Sequence, residues 1–343
     1  MSQRYAALIS VTAVAGLAVI GFSGGCTHKA QNRLVVYCSH DALYSQQVLD
    51  RFEAETGIHV DVKFDTEANK SVGFVALIRS ERDQPRCDVF WNNQVLGTVA
   101  LAEEGLFHAY KGPGFERIPG RYRDPDGHWA GFAARLRVYI VNTDLMTAST
   151  EAIDERLAAD PTDFVLAKPM FGTTLTHFSV LHDVWGPDQL RQWYEDLSRR
   201  GAQVVAGNST TKNLVAEGKS AFGWTDTDDY FLAVDAGKPV SFVPVEIEAD
   251  GNRRRTIAIP NSVAIVKGSS NLPAAKRLVD FLLSEQVELE LSRSRARQVP
   301  LGSVDETQLS AEVLELMPLV KRGIALSGLA ENREAVLSWL SSE

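Results

Sequence analysis

The chain is poor in cysteine, with three in 343 residues, and has no excess of basic charge, since 35 Lys and Arg stand against 44 Asp and Glu for a formal net charge of -9. So few thiols exclude a disulfide-stapled scaffold. The acidic balance excludes a general nucleic-acid binder, so no nucleic-acid partner is expected. Its basic clusters, Arg253-Arg254-Arg255 and Arg293, Arg295 and Arg297, are short and flanked by acids, and read as solvated faces. Signature motifs of catalysis are also missing: there is no GxxxxGK[ST] phosphate loop, no GxSxG elbow and no HExxH zinc motif. His177 and His182 fall off the three- or four-residue spacing of one helical face, so they read as ordinary polar histidines. After the N-terminus no apolar run is long enough to span a bilayer.

What is present begins with an export pattern. Arg4 gives a positive start, Tyr5 to Phe22 is an uncharged apolar run, and Ser23-Gly24-Gly25 supplies small residues before Cys26. This is the order of a secretory signal peptide, residues 1–25, although the run is also long enough for a retained anchor. A cysteine behind small residues resembles the lipobox of bacterial lipoproteins, with Ser23 where a leucine is usual. That resemblance implies lipidation of Cys26, a polar tether over 26–32, and a periplasmic or cell-surface chain held to a lipid bilayer.

The remainder is too long for one ordinary core and suits two domains. Strands and helices alternate from its start: Leu34 to Cys38, a helix from Tyr44 to Thr56 stopped by Gly57, and a strand from His59 to Phe64. A helix from Ser71 to Arg82, a strand from Asp88 to Trp91 and a helix from Val95 to Glu104 continue the series. Such alternation builds a parallel sheet covered by helices. If the first and third strands are parallel neighbours, Cys38 and Cys87 lie at opposite ends, roughly 13 Å apart at about 3.3 Å per residue, so two free buried thiols are expected.

Ligands of such sheets bind beyond the carboxyl ends of the strands. That rule selects Ser39 and His40 after the first strand, Thr66 and Glu67 after the second, and Asn92 and Asn93 after the third. The middle of the chain repeats the architecture and adds Thr173 and Thr174 at a helix start, Asn208 and Ser209 after a strand, and Asp226, Asp228 and Asp229 with Tyr230 after another. Each has a plainer reading. Asp226 or Thr227 is as good a helix cap as a ligand, Asn92-Asn93 also suits a turn, and Arg135 and Arg137, astride the expected hinge, also suit structural ion pairs.

Val35-Val36-Tyr37-Cys38-Ser39, Phe52-Glu53-Ala54-Glu55-Thr56-Gly57-Ile58 and Cys87-Asp88-Val89-Phe90-Trp91 resemble the opening lobe of bacterial ABC-importer solute-binding proteins. Glu103-Glu104-Gly105-Leu106-Phe107, Val141-Asn142-Thr143, Gly218-Lys219-Ser220-Ala221 and the late helix from Ala274 to Ser284 extend the match over nearly all of the mature chain, nearest the ferric-iron-binding branch. The resemblance implies an α/β fold, the two-lobed type II periplasmic-binding-protein fold, with mainly parallel sheets flanked by helices and hinge crossovers between lobes. Lobe 1 is expected over 33–130 and 257–300, and lobe 2 over 131–256 and 301–343. It implies a monomeric receptor without a resident cofactor, closing on a small solute and delivering it to a permease driven by a separate ATPase subunit.

Iron-binding members grip ferric iron with a histidine, a glutamate and two adjacent tyrosines. Here His40 stands in the first loop, Asn93 at the glutamate position, and Asp228-Asp229 with Tyr230 at the tyrosine pair. A metal would therefore fall to His40, Asp228 and Asp229. The neutral donors among these residues suit a phosphate, phosphonate or carboxylate, and the aspartates suit an ammonium group or a metal. Iron with an anion and a small organic anion or zwitterion stand side by side as ligands. A secreted hydrolase acting in the cleft is the rival class, and an interaction protein whose cleft has lost its ligand is a third.

Overall fold

The computed structural model describes residues 32–65, 72–249, 251 and 253–342. The expected signal segment, Cys26, Thr66 and Glu67 lie outside the described residues. The chain opens with β1 (Arg33–Cys38), α1 (Ala42–Thr56), β2 (His59–Phe64), α2 (Val72–Ser80), β3 (Val89–Asn92) and α3 (Leu96–Glu103), close to the expected bounds. A short β4 (Phe107–His108) and a long β5 (Ala130–Asn142) follow. Next come α4 (Thr150–Ala159), β6 (Phe164–Ala167), α5 (Gly172–Trp185), α6 (Pro187–Arg199), β7 (Gln203–Val205), α7 (Asn208–Ala216), β8 (Phe222–Asp226) and α8 (Thr227–Asp235). β9 (Val240–Pro244), the hairpin β10 (Glu246–Ala249) and β11 (Arg253–Thr256), and β12 (Ala258–Val266) lead into α9 (Leu272–Leu282), α10 (Glu285–Arg293), α11 (Ala311–Lys321) and α12 (Ala330–Ser341).

One sheet runs in the order β2-β1-β3-β12-β5-β8-β6-β7, with β4 attached to β12 and β9 to β5. Its two ends are parallel, β2-β1-β3 on one side and β8-β6-β7 on the other. Between them β5 and β12 run antiparallel to each other and to β3 and β8. These two strands are longer than their sequence pattern indicates, because they are buried along nearly their whole length and so show little polar alternation. Their ladder slips between Pro260 and Asn261, opposite Ala133, whose φ is 42°. Such a left-handed alanine in a bulge costs about 1–2 kcal/mol and persists only when its surroundings hold it. Here Asn261 Nδ2 donates to the Ala133 carbonyl at 2.7 Å and to Gln298 Oε1 at 2.8 Å, and Ala133 N donates to Glu288 Oε1 at 3.0 Å.

Both faces of the sheet are covered, which is why successive strand residues are all apolar. Val36, Val89 and Trp91 pack with α1, α9 and α10 on one face, while Tyr37, Phe90, Phe222 and Trp224 join α2, α3, α5 and α6 on the other. α12 rests on both α3 and α5, so this second core is continuous across the molecule. Gly57, at φ 67°, ends α1 in the left-handed region, donating to the Glu53 carbonyl at 2.8 Å. In the β1–β3 register Cys38 sits opposite Trp91, and Cys38 and Cys87 are both buried and joined in no disulfide, as the strand argument predicted.

Candidate functional site

The carboxyl ends of β1, β3, β6, β7 and β8 meet around a cavity of about 660 Å³. From one side it is lined by Asp41, Tyr44 and Asn93, and from the other by Lys168, Phe171, Gly172, Thr173 and Thr174, with Asn208, Ser209, Thr210, Asp226, Asp228 and Asp229. Arg135, on the crossing strand β5, also lines it. Of the residues expected from sequence, Asn93, Thr173, Thr174, Asn208, Ser209, Asp226, Asp228 and Asp229 are thus brought together. Asp41 joins them from the loop after the first strand, which the carboxyl-end rule also selects, and Tyr44, Arg135, Lys168 and Phe171 join without having been picked out as ligand residues. Lys168 and Phe171 fall between β6 and α5, and β6 had no polar alternation to betray it.

Four expected residues are placed elsewhere. His40 is buried under Trp91, ring centroids 5.3 Å apart, and its Nε2 accepts from Gln298 Nε2 at 3.0 Å while Nδ1 lies 3.4 Å from the Asp41 carbonyl. Both ring nitrogens are therefore occupied, and His40 does not reach Asp228 and Asp229. Among the described residues no group of three or more His, Cys, Asp or Glu side chains is placed to hold a metal. Asn92 is buried with its Nδ2 donating to Thr98 Oγ1 at 3.2 Å. Ser39 is buried behind the rim, its hydroxyl donating to Asp65 Oδ2 at 3.3 Å. Tyr230 turns into an aromatic cluster, its ring 5.0 Å from Phe242, and burial raises its hydroxyl pKa.

Asp226 anchors the floor. Its Oδ1 accepts from Arg137 Nη1 at 2.8 Å, and its Oδ2 accepts from Thr173 Oγ1 at 2.5 Å and Asn208 Nδ2 at 3.0 Å. Its side chain makes no cap to α8, so the capping alternative does not hold. The hydroxyls counted on as ligand donors are largely engaged: Thr174 donates to Asn208 Oδ1 at 3.0 Å and Ser209 to Asp229 Oδ1 at 3.3 Å. Free donors remain on the backbone instead. α5 and α7 both begin without a side-chain cap, and the N–H groups of Gly172, Thr173, Thr174, Asn208 and Ser209 have no acceptor among the described residues.

Acidic groups stand on the same side, beside these helix starts. Arg135 Nη2 donates to the Asn93 carbonyl at 2.6 Å, and its Nε lies 3.6 Å from Asp226 Oδ2 and 3.8 Å from Asp228 Oδ2. Burial pushes the Asp228 carboxyl up to about 7, Arg135 pulls it down, and Asp226, Asp229 and Asp41 push it further up. Asp229 is raised by burial too, against hydrogen bonds from Thr225 and Ser209. His177, sealed in the core 4.2 Å from Trp224, is held neutral by burial and by Arg137, which removes it from any acid–base role at the cavity.

Comparison with known proteins agrees with this fold. The chain is 23% identical to "Iron uptake protein A1" of Synechocystis, over 80% of this chain and 77% of that protein. Its fold superposes on the ferric binding protein of Campylobacter jejuni with a TM-score of 0.77 at 20% identity, covering 90% of this chain and 98% of that one. It also superposes on AfuA of Actinobacillus pleuropneumoniae, solved with fructose-6-phosphate bound, with a TM-score of 0.70 at 19% identity, covering 91% and 98%. The fold is the two-lobed type II periplasmic-binding fold. Residues 47–313 match the family model of the bacterial extracellular solute-binding proteins, and the chain belongs to that family.

Proposed function

We propose that the chain is the extracytoplasmic receptor of an ABC importer, a monomer that closes two lobes on a small solute and passes it to a permease driven by a separate ATPase. The division into 33–130 with 257–300 and 131–256 with 301–343 places the hinge in β5 and β12. The observation that carries the reading is the cavity itself: polar loop tips from both ends of one sheet face each other across about 660 Å³, beside the strands that cross between them. Export through residues 1–25 and a lipid on Cys26 would hold the receptor at the membrane, and no helix among the described residues is long and apolar enough to cross one.

Binding, rather than hydrolysis, suits the side chains present. Asp226 is saturated by Arg137, Thr173 and Asn208, and among the described residues the cavity lining has no histidine to serve as a base. For the solute, a small organic anion is supported by five N–H groups at two helix starts that have no acceptor among the described residues, where an oxyanion gains from the positive end of each helix. It is supported too by the structural neighbour that holds a sugar phosphate. Ferric iron carried with an anion is the second reading, favoured by the relative that is an iron uptake protein; its protein ligands would be Asp228 and Asp229 without His40.

Native mass spectrometry of the full chain purified from its own host, with elemental analysis for iron, separates the two solutes. Small-angle scattering before and after solute addition tests closure. A particle that keeps one radius of gyration with every solute it binds would defeat the two-lobe receptor.

A further inference from the structure

We infer that the solute is a polyol phosphate, whose phosphoryl group is held jointly by the starts of α5 and α7 and by Arg135, and whose hydroxyls donate to the acids beside them. The inference rests on the receptor reading above and narrows its organic anion to one class.

The two helix starts and Arg135 converge on one point. Asp226 Oδ2 accepts from Thr173 Oγ1 at 2.5 Å and from Asn208 Nδ2 at 3.0 Å, on the first turns of α5 and α7, and Arg135 Nε lies 3.6 Å from the same oxygen. On those turns the N–H groups of Gly172, Thr173, Thr174, Asn208 and Ser209 have no acceptor among the described residues. Arg135 is 5% exposed and lines the cavity. Its Nη2 is spent on the Asn93 carbonyl at 2.6 Å, and its Nε has no hydrogen-bond partner among the described residues. A buried donor left without an acceptor is costly, so the arginine and the helix starts call for the same kind of group. A carboxylate offers two oxygens, with about four lone-pair sites, to these donors. A phosphoryl group offers three oxygens and meets both helix starts and the guanidinium at once.

The acids on this side do not close it to an oxyanion. Asp226 is offset by Arg137 at 2.8 Å, and both oxygens of Asp229 accept hydroxyls, from Ser209 at 3.3 Å and from Thr225 at 2.8 Å. Arg135 and Lys168 add two cations to the lining. Asp228 Oδ1 accepts the Asp229 N–H at 3.0 Å, and its Oδ2 lies 3.8 Å from Arg135 Nε, beyond hydrogen-bond length. A hydroxyl suits that oxygen because it donates without bringing a charge, whereas an ammonium group would set a second cation against Arg135. The cavity, about 660 Å³, is far larger than a bare phosphate and of the size that encloses a whole organic molecule. Tyr44 and Phe171 give its carbon skeleton aromatic surface to lie on.

The test is titration calorimetry of the full chain with glucose 6-phosphate, ribose 5-phosphate and glycerol 1-phosphate, against glucose, ribose, glycerol, gluconate, ethyl phosphate and ferric citrate. At least one polyol phosphate is expected to bind tenfold or more tighter than its dephosphorylated form, than gluconate and than ethyl phosphate. Arg135→Gln should weaken that binding at least tenfold, and Asp228→Ala should narrow the gap between the polyol phosphate and ethyl phosphate. Should Arg135→Gln fail to fold, Asp228→Ala and the ligand series carry the test. Gluconate or a dephosphorylated polyol binding as tightly as every polyol phosphate, ethyl phosphate doing so, or ferric citrate alone binding overturns the inference and leaves the receptor standing. An unchanged affinity in folded Arg135→Gln overturns it as well. Should no probe bind, the mass and elemental composition of the solute retained from the host decide: a phosphorus-containing polyol supports the inference, and a molecule lacking phosphorus overturns it. A chain that retains and binds no solute at all overturns the receptor reading itself.

Discussion

Arg137 and Asp226 are partners twice over, opposed in the β5–β8 ladder and joined through their side chains, Nη1 to Oδ1, at 2.8 Å. The arginine is fully buried and the aspartate nearly so. Removing one member strands the other charge in the core. Asp226→Ala is expected to cost about 3–5 kcal/mol in urea unfolding, whereas the double change Arg137→Met with Asp226→Asn should cost clearly less than Asp226→Ala alone. Additive losses from the two sites would show that the pair is not coupled.

Asp228 sets a pH dependence of opposite sign to the usual aspartate. Its folded pKa, about 7, lies above that of the unfolded chain, so between about 4 and 7 the native state holds more protons. Stability from this group is therefore present at low pH and lost as pH rises through 7. Asp228→Asn should raise the melting temperature by about 3 °C at pH 8 and change it little at pH 5. A larger gain at pH 5 than at pH 8 would contradict the assignment.

The bulge in the crossing strands makes a ranked prediction. At φ 42° Ala133 tolerates a glycine and resists a β-branched residue. Ala133→Gly should unfold at no lower urea concentration than the parent, while Ala133→Val should lose about 2 kcal/mol. A valine variant of parental stability would remove the strain argument.

Cys38 and Cys87 are buried, and burial pushes the Cys87 thiol far above its ordinary range. Native protein at pH 8 should leave both peptides unlabelled by iodoacetamide, and urea-unfolded protein should label both without prior reduction. Labelling that requires a reductant would reveal a bridge.

The first third of the fold was legible almost element by element, because α1 and β2 carry clean periodicity and glycines, Gly57 and Gly105, follow α1 and α3. Elements buried on both faces were not. β5 read as five residues around Arg137–Val141 because Ala130, Gly131, Ala133 and Ala134 offer neither alternation nor bulk. β6 spans only four residues and has no polar alternation. At the site, the rule of carboxyl ends brought eight expected residues to one cavity. It failed at His40 and Asn92, whose side chains turn inward under Trp91 and onto Thr98. No pattern along the chain reveals which way a loop side chain turns; Gln298, the partner that holds His40, lies 258 residues away.

β5 and β12 belong without interruption to both ends of the sheet, and the chain passes through them in opposite directions. No single cut yields two self-sufficient pieces: a fragment ending before β12 would expose the open backbone edges of β3 and β5 and invite fibrous self-association. Melting should accordingly be one event and not two, with calorimetric and van't Hoff enthalpies in agreement.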